Sequence, residues 1–96
     1  MPKAYVIADI DVTDPTTYED YKRLSSAAAE KYGARFLVRG GDIDVLEGTW
    51  QPGRFVVLEF DDEASARRWY DSPEYAEARA VRHRASRSSL VLVRGA

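Results

Sequence analysis

The chain has 96 residues, no cysteine, a single histidine and a formal net charge of −2. These exclude disulfides, a thiolate nucleophile, Cys-ligated zinc and Cys/His metal clusters, and they argue against generic polyanion binding. One domain spanning 1–96 is expected. It would bury only roughly 60–65% of its unfolded surface, so association with a second copy is the expected source of further burial.

"KAYVIADIDV" alternates and is β-branched, which predicts a first strand. Val6, Ala8 and Ile10 form a wholly apolar face, and Tyr5, Ile7, Asp9 and Asp11 form the other. Asp9 breaks the apolar run too early for a secretory signal, and no run approaches the roughly 18 apolar residues of a spanning helix. A cytoplasmic protein without membrane contact is expected.

"TDPTTYEDYKRLSSAAAEKYG" predicts a helix with both ends marked. Asp14 is its cap, Pro15 suits its first turn and Gly33 suits the position after its end. Tyr18, Tyr21, Leu24, Ala28 and Tyr32 recur at helical spacing on one side. "ARFLVRGGDIDVLEG" predicts a strand, a corner at Gly40-Gly41 and a short strand through Val45–Glu47.

"RFVVLEFDD" is the clearest strand. Arg54, Val56, Leu58 and Phe60 share one face, and Phe55, Val57 and Glu59 the other. Asp62 caps a helix carrying Ala66, Trp69 and Tyr70. "DSP" ends it, and Ser72 with Pro73 starts another short helix through about Arg82. "SSLVLVRG" is the last strand. The order β-α-β-β-α-β defines an α+β, ferredoxin-like sandwich: a four-stranded antiparallel sheet with helices on one face.

Alternation places Asp9, Arg39 and Glu59 on the face away from the helices, beside Tyr5, Ile7, Leu37, Phe55 and Val57. Either Leu90 and Leu92 or Val91 and Val93 join them. So much apolar area predicts a covering partner, and charges buried there must pair. Arg39, next to the glycine corner, is suited to grip a carboxylate bidentately.

Several motifs carry less. The glycine pairs match neither G-x-G-x-x-G nor a phosphate loop. His83 lies between Arg82 and Arg84 with no carboxylate nearby in sequence to orient it as a base. Residues 1–65 hold seven basic and thirteen acidic groups, and residues 66–96 seven basic and three acidic. Yet Arg79, Arg82, Arg84 and Arg87 scatter around the helical cylinder instead of forming one stripe, so nucleic-acid binding is not expected. No serine sits in G-x-S-x-G.

"YGARFLVRGG", "VLEG", "RFVVLEF", "WYDSPEY" and the arginine that follows, in this order and spacing, resemble the domain-of-unknown-function 1330 family over Tyr5 to Val93. The resemblance implies the dimeric α+β barrel superfamily, in which two ferredoxin-like subunits pack sheet against sheet. That superfamily includes cofactor-free monooxygenases, muconolactone isomerases and haem-handling enzymes. This chain departs from the haem type, because its one histidine lies in an Arg-rich segment. The family pattern falls on Arg39, Glu47, Glu59, Trp69, Tyr70, Ser72, Pro73, Tyr75 and Arg82. Trp69, Pro73 and Tyr75 read as packing residues, and Ser72 as a cap.

The candidate ligand-binding residues are Arg39, Glu59, Tyr70, Arg82 and Asp9, gathered at a cleft between sheet and helix. No cofactor and no metal are expected. The expected function is binding of a small anionic or aromatic molecule by a homodimer, with or without catalysis. The alternative is a structural homodimer whose charged face only sets its register.

Overall fold

A computed structural model describes residues 2–96. Its elements are β1 (Ala4–Val12), α1 (Pro15–Lys31), β2 (Arg35–Arg39), β3 (Arg54–Phe60), α2 (Glu63–Asp71), α3 (Pro73–Ala85) and β4 (Ser86–Arg94). The strands form one antiparallel sheet in the order β2-β3-β1-β4. This is the ferredoxin-like arrangement expected from the sequence. No helix is long and apolar enough to cross a membrane.

Period-two patterning decides the core. Val6, Ala8 and Ile10 of β1 and Leu58 and Phe60 of β3 are buried beneath the helices. Leu90 and Leu92 lie opposite Ala8 and Val6 across the β1–β4 ladder, so they face the same way. Val91 and Val93, opposite Ile7 and Tyr5, therefore belong to the outer face, which settles the two readings left open for β4. The outer face also carries Phe55 and Val57, opposite Asp9 and Ile7.

The helix ends follow their capping residues. Asp14 accepts from the Thr17 amide at 3.2 Å, and Asp62 from the Ser65 amide at 2.7 Å. Ser72 serves two helices: its hydroxyl accepts from the Tyr75 amide at 3.1 Å and donates to the Trp69 carbonyl at 2.7 Å. Ser72→Ala is expected to cost about 1–2 kcal/mol, read as a lower urea midpoint with unchanged slope. A change below a few tenths would mean that packing alone holds the break.

Helix α3 runs past the expected end at Arg82 to Ala85, where the chain enters β4 directly. The Ala85 carbonyl accepts from the amides of Thr13 and Asp14 at 2.8 and 3.0 Å, tying this junction to the start of α1. At the other end of α1, Glu74 accepts from Lys31 at 2.5 Å and from the Tyr32 hydroxyl at 2.9 Å. The Lys31 ammonium is the main reason that the Glu74 carboxyl is held down at about 2. The neighbour of α1 along its length is thus α3, and the space between α1 and the sheet is left to side chains.

Two expectations are corrected. Val45–Glu47 is not a strand. Gly40 and Gly48 adopt φ of 72° and 87°, conformations open to glycine at little cost, and they interrupt the extended backbone on either side of Val45–Glu47. The second correction concerns Arg39. Ladder register shifts between Phe36 and Val38, which leaves Leu37 as an extra residue in β2. Before the bulge, Arg35 lies opposite Glu59 and Phe36 opposite Leu58. After it, Val38 lies opposite Val57 and Arg39 opposite Val56. A one-residue insertion reverses the faces beyond it, so Arg39 points to the helix side and not to the face of Asp9 and Glu59.

Candidate functional site

The cleft lies between α1 and the sheet, floored by Val6, Ala8 and Ile10 of β1 as well as by β2 and β3, with Leu90 of β4 also lining it. Tyr18, Tyr21, Lys22 and Ser25, at helical spacing, line it from α1. Phe36, Arg39, Arg54, Val56 and Leu58 line it from the sheet, and Trp69 and Tyr75 from the α2–α3 side. The enclosed volume is about 20 Å³, little more than one water molecule needs.

Its charge is one-sided. Lys22, Arg39 and Arg54 line the cleft, and no aspartate or glutamate does. Lys22 pairs with Glu19 on the α1 surface at 3.0 Å. Arg39 donates to the Ser26 hydroxyl and lies 4.1 Å from the centre of the Phe36 ring. The Arg54 guanidinium sits 5.8 Å from the Tyr18 ring centre. It rests against Gly40, where a built Cβ would overlap it, so glycine there allows both the turn and the close approach.

Behind this layer stands a buried polar chain. The Tyr21 and Tyr75 hydroxyls are 2.9 Å apart. Arg82 donates to the Tyr75 hydroxyl at 2.5 Å and to Ser88 at 2.9 Å, and its remaining nitrogen is 3.2 Å from His83 Nε2. Burial pushes the Tyr75 hydroxyl well above the usual tyrosine range, so it stays protonated. Arg82 is only 4% exposed, and among the described residues it forms no salt bridge. Two buried donors lack partners: Arg54 Nε and Trp69 Nε1. Both belong to side chains lining the cleft.

The five candidate residues separate. Arg39 reaches the mouth of the cleft, and Arg82 stands behind Tyr75 on the same side of the sheet. Asp9 and Glu59 lie on the opposite face and meet neither. Asp9 accepts from Trp50 Nε1 at 3.1 Å and from the Gly53 amide at 2.8 Å, so it anchors the end of the 40–53 segment. Glu59 accepts from Arg35 at 2.8 Å. That bond is the main reason its carboxyl is held below the usual range, which disfavours it as a neutral-pH base. Tyr70 lines a separate groove of about 210 Å³ at the β4 edge, with Arg67, Asp71 and Leu92. The Arg79 guanidinium covers the Tyr70 ring at 4.6 Å.

Sequence reasoning passed over Arg54, Tyr18, Tyr21, Trp69 and Tyr75 as cleft residues. One signal was present. Arg54 is the lone charge on the strand face it shares with Val56, Leu58 and Phe60, and a lone charge facing a core needs a reason.

The sheet order, with its helices on one face and a cleft beneath them, defines a ferredoxin-like α+β protein. The chain belongs to the domain-of-unknown-function 1330 family, DUF1330, whose profile matches residues 3–96. No curated protein matches it. A protein of unknown function from Rhodopseudomonas palustris is similar in structure, with a TM-score of 0.77 at 16% identity over 99% of this chain and 83% of that one. SnoaB, a cofactor-independent oxygenase from Streptomyces nogalater, is similar with a TM-score of 0.64 at 14% identity over 97% of this chain and 92% of that one. A dimeric protein of unknown function with a ferredoxin-like fold, from Bacteroides fragilis, is similar with a TM-score of 0.63 at 12% identity over 96% of this chain and 95% of that one. At these identities the likeness carries the fold.

Proposed function

We propose that this protein binds a small anionic or aromatic molecule in the cleft between α1 and the sheet, as a homodimer packed sheet to sheet. One observation carries the reading: Lys22, Arg39 and Arg54 line a cleft to which no carboxylate contributes, with Arg82 buried behind it. Like charges gathered in a partly desolvated site call for an anion. The aromatic walls suit a planar or apolar ligand body. The dimeric description of the Bacteroides fragilis neighbour supports a dimer.

Binding is favoured over proton abstraction. A general base must lie within reach of the bound molecule, and the two candidate carboxylates, Asp9 and Glu59, are held on the other face by donors of their own subunit. The same fact weighs against a purely structural role in which those charges set the dimer register. SnoaB shows that the fold accommodates oxygenase chemistry, but the residues gathered at this cleft support recognition.

Arg39→Ala is expected to weaken benzoate binding roughly tenfold or more, as a charge-assisted hydrogen bond is lost. Calorimetric titration would measure it, with circular dichroism and sedimentation unchanged. A variant that binds as tightly as the parent, or that no longer folds, would sink the assignment of Arg39 to the ligand.

A further inference from the structure

The segment between β2 and β3 is exposed at every residue from 41 to 51, and its charge has one sign. Residues 40–53 carry Asp42, Asp44 and Glu47 and no basic side chain. Ile43, Val45 and Leu46 stand among these acids, 42%, 48% and 96% exposed. Among the described residues none of the three carboxylates forms an ion pair. Apolar side chains held in water beside unpaired charges are the composition of a contact surface.

The segment leaves and re-enters the sheet at one end. The Gly40 amide donates to the Phe55 carbonyl at 2.8 Å, and Arg54 lies opposite Ile10. Its last residues are fastened to the outer face, where Trp50 packs on Phe55 and Asp9 accepts from Trp50 Nε1 and the Gly53 amide. The same end of that face carries Arg87, opposite Asp11 at the start of β4. Strand β4 holds two arginines and no carboxylate. Arg87 is exposed, and among the described residues it too forms no ion pair. Beside it lies an open hollow of about 440 Å³, lined also by Asp9, Asp11, Gln51, Gly53, Ser88 and Ser89. Of its two carboxylates, Asp9 is already engaged, and Asp11 stands next to Arg87 without pairing.

We propose that residues 42–47 of one subunit dock in this hollow on a second copy of the chain, with their carboxylates on the partner's Arg87. The proposal rests on the sheet-to-sheet homodimer described above and fixes its geometry. Strands β2 and β4 are the two edges of the sheet, so the segment and Arg87 sit at the same end but at opposite edges. A two-fold axis parallel to the strands keeps the ends together and exchanges the edges, which sets the partner's β4 over β2. An axis across the strands would do the reverse and leave Arg87 far from the partner's segment. Two-fold symmetry forms the contact twice in each dimer. Opposite charges placed in this way select the orientation of the pair and reject the alternative.

The test uses the full chain in two variants, one with Asp44→Lys and Glu47→Lys together and the other with Arg87→Glu. Sedimentation measures the dimer dissociation constant of each at low and at high salt. Each variant alone is expected to dimerise roughly tenfold or more weakly, because every dimer then holds two like-charge contacts, and to keep its circular dichroism. Mixed in equal amounts, the two should recover dimers of near-parental affinity. The new lysines of one chain then meet the new carboxylate of the other, and the unaltered segment meets the unaltered Arg87. Within either chain the mixture leaves like charges together, so recovery requires contacts between subunits. If a reversal prevents folding, the neutral changes Arg87→Gln and Glu47→Gln should each weaken the dimer severalfold and reduce its salt dependence. Variants that dimerise as tightly as the parent, or weakened variants that mixing does not rescue, would overturn the docking and leave the sheet-to-sheet dimer, with its sensitivity to Ile7→Asp, standing. A parent chain that stays monomeric at millimolar concentration would overturn the dimer itself.

Discussion

An Arg82→Met variant is expected to fold more stably than the parent by about 1–2 kcal/mol while binding benzoate at least tenfold more weakly. Arg82 is almost wholly buried, and its nitrogens reach only two hydroxyls and an imidazole. Removing a guanidinium from water without an opposing charge is costly, and hydrogen bonds to neutral groups return only part of that cost. Methionine fills similar space without the charge. It leaves no new orphan: Tyr75 keeps Tyr21, and Ser88, which is only half-buried, can turn to water. For a domain of this size each kcal/mol shifts Tm by roughly 4–8 °C, so calorimetry resolves the gain. Affinity should fall because the cleft loses the buried positive charge that stands behind Tyr75. The opposite signs separate the roles. A purely structural Arg82 predicts lost stability, and a destabilisation beyond about 1 kcal/mol would refute the view that the charge is retained for the ligand.

What could be read from the sequence was local. The strands of Ala4–Val12 and Arg54–Phe60 follow from alternation. Helix α1 follows from Asp14, Pro15 and Gly33, and the division of α2 from α3 follows from Ser72 and Pro73. Each signal sits within a few residues of the feature it produces. The site was legible only in part, because its geometry depends on one non-local event. "RFLVR" alternates as well as any strand, and nothing in it announces that Leu37 is extra to the ladder. That insertion carries Arg39 across the sheet, away from Asp9 and Glu59 and into the cleft with Arg54. The short strand expected at Val45–Glu47 failed for a related reason. Its apolar residues fit a strand, but pairing is a property of neighbours, and left-handed glycines at 40 and 48 interrupt the extended backbone on either side of it.

Ile7→Asp is expected to convert the proposed sheet-to-sheet homodimer to a folded monomer, raising the dissociation constant by at least roughly a thousandfold. Ile7 occupies the centre of the outer face, with Val57 opposite it on β3 and Val91 on β4. Val91 is 54% exposed in the isolated subunit. Val93 and Phe55 share this face, the Trp50 ring meets Phe55 at 5.8 Å, and Leu46 on the 40–53 segment is 96% exposed. The helices cover only the other face, and a continuous apolar sheet surface requires a partner of like character. Sheet-to-sheet packing about a two-fold axis would bury two copies of the new carboxylate among valines. Each uncompensated charge costs several kcal/mol, and every 1.4 kcal/mol is tenfold in affinity. Within one subunit the change is mild, since position 7 does not touch the core beneath the helices. Circular dichroism should therefore persist while sedimentation reports half the mass. Val91→Glu gives the same outcome from an exposed position and guards against local unfolding. Dimers that survive both substitutions would place the interface elsewhere. The monomer also separates the two parts of the proposed function: the cleft lies on the helix side of the sheet, away from the face carrying Ile7 and Val91, so benzoate binding should survive the loss of the dimer.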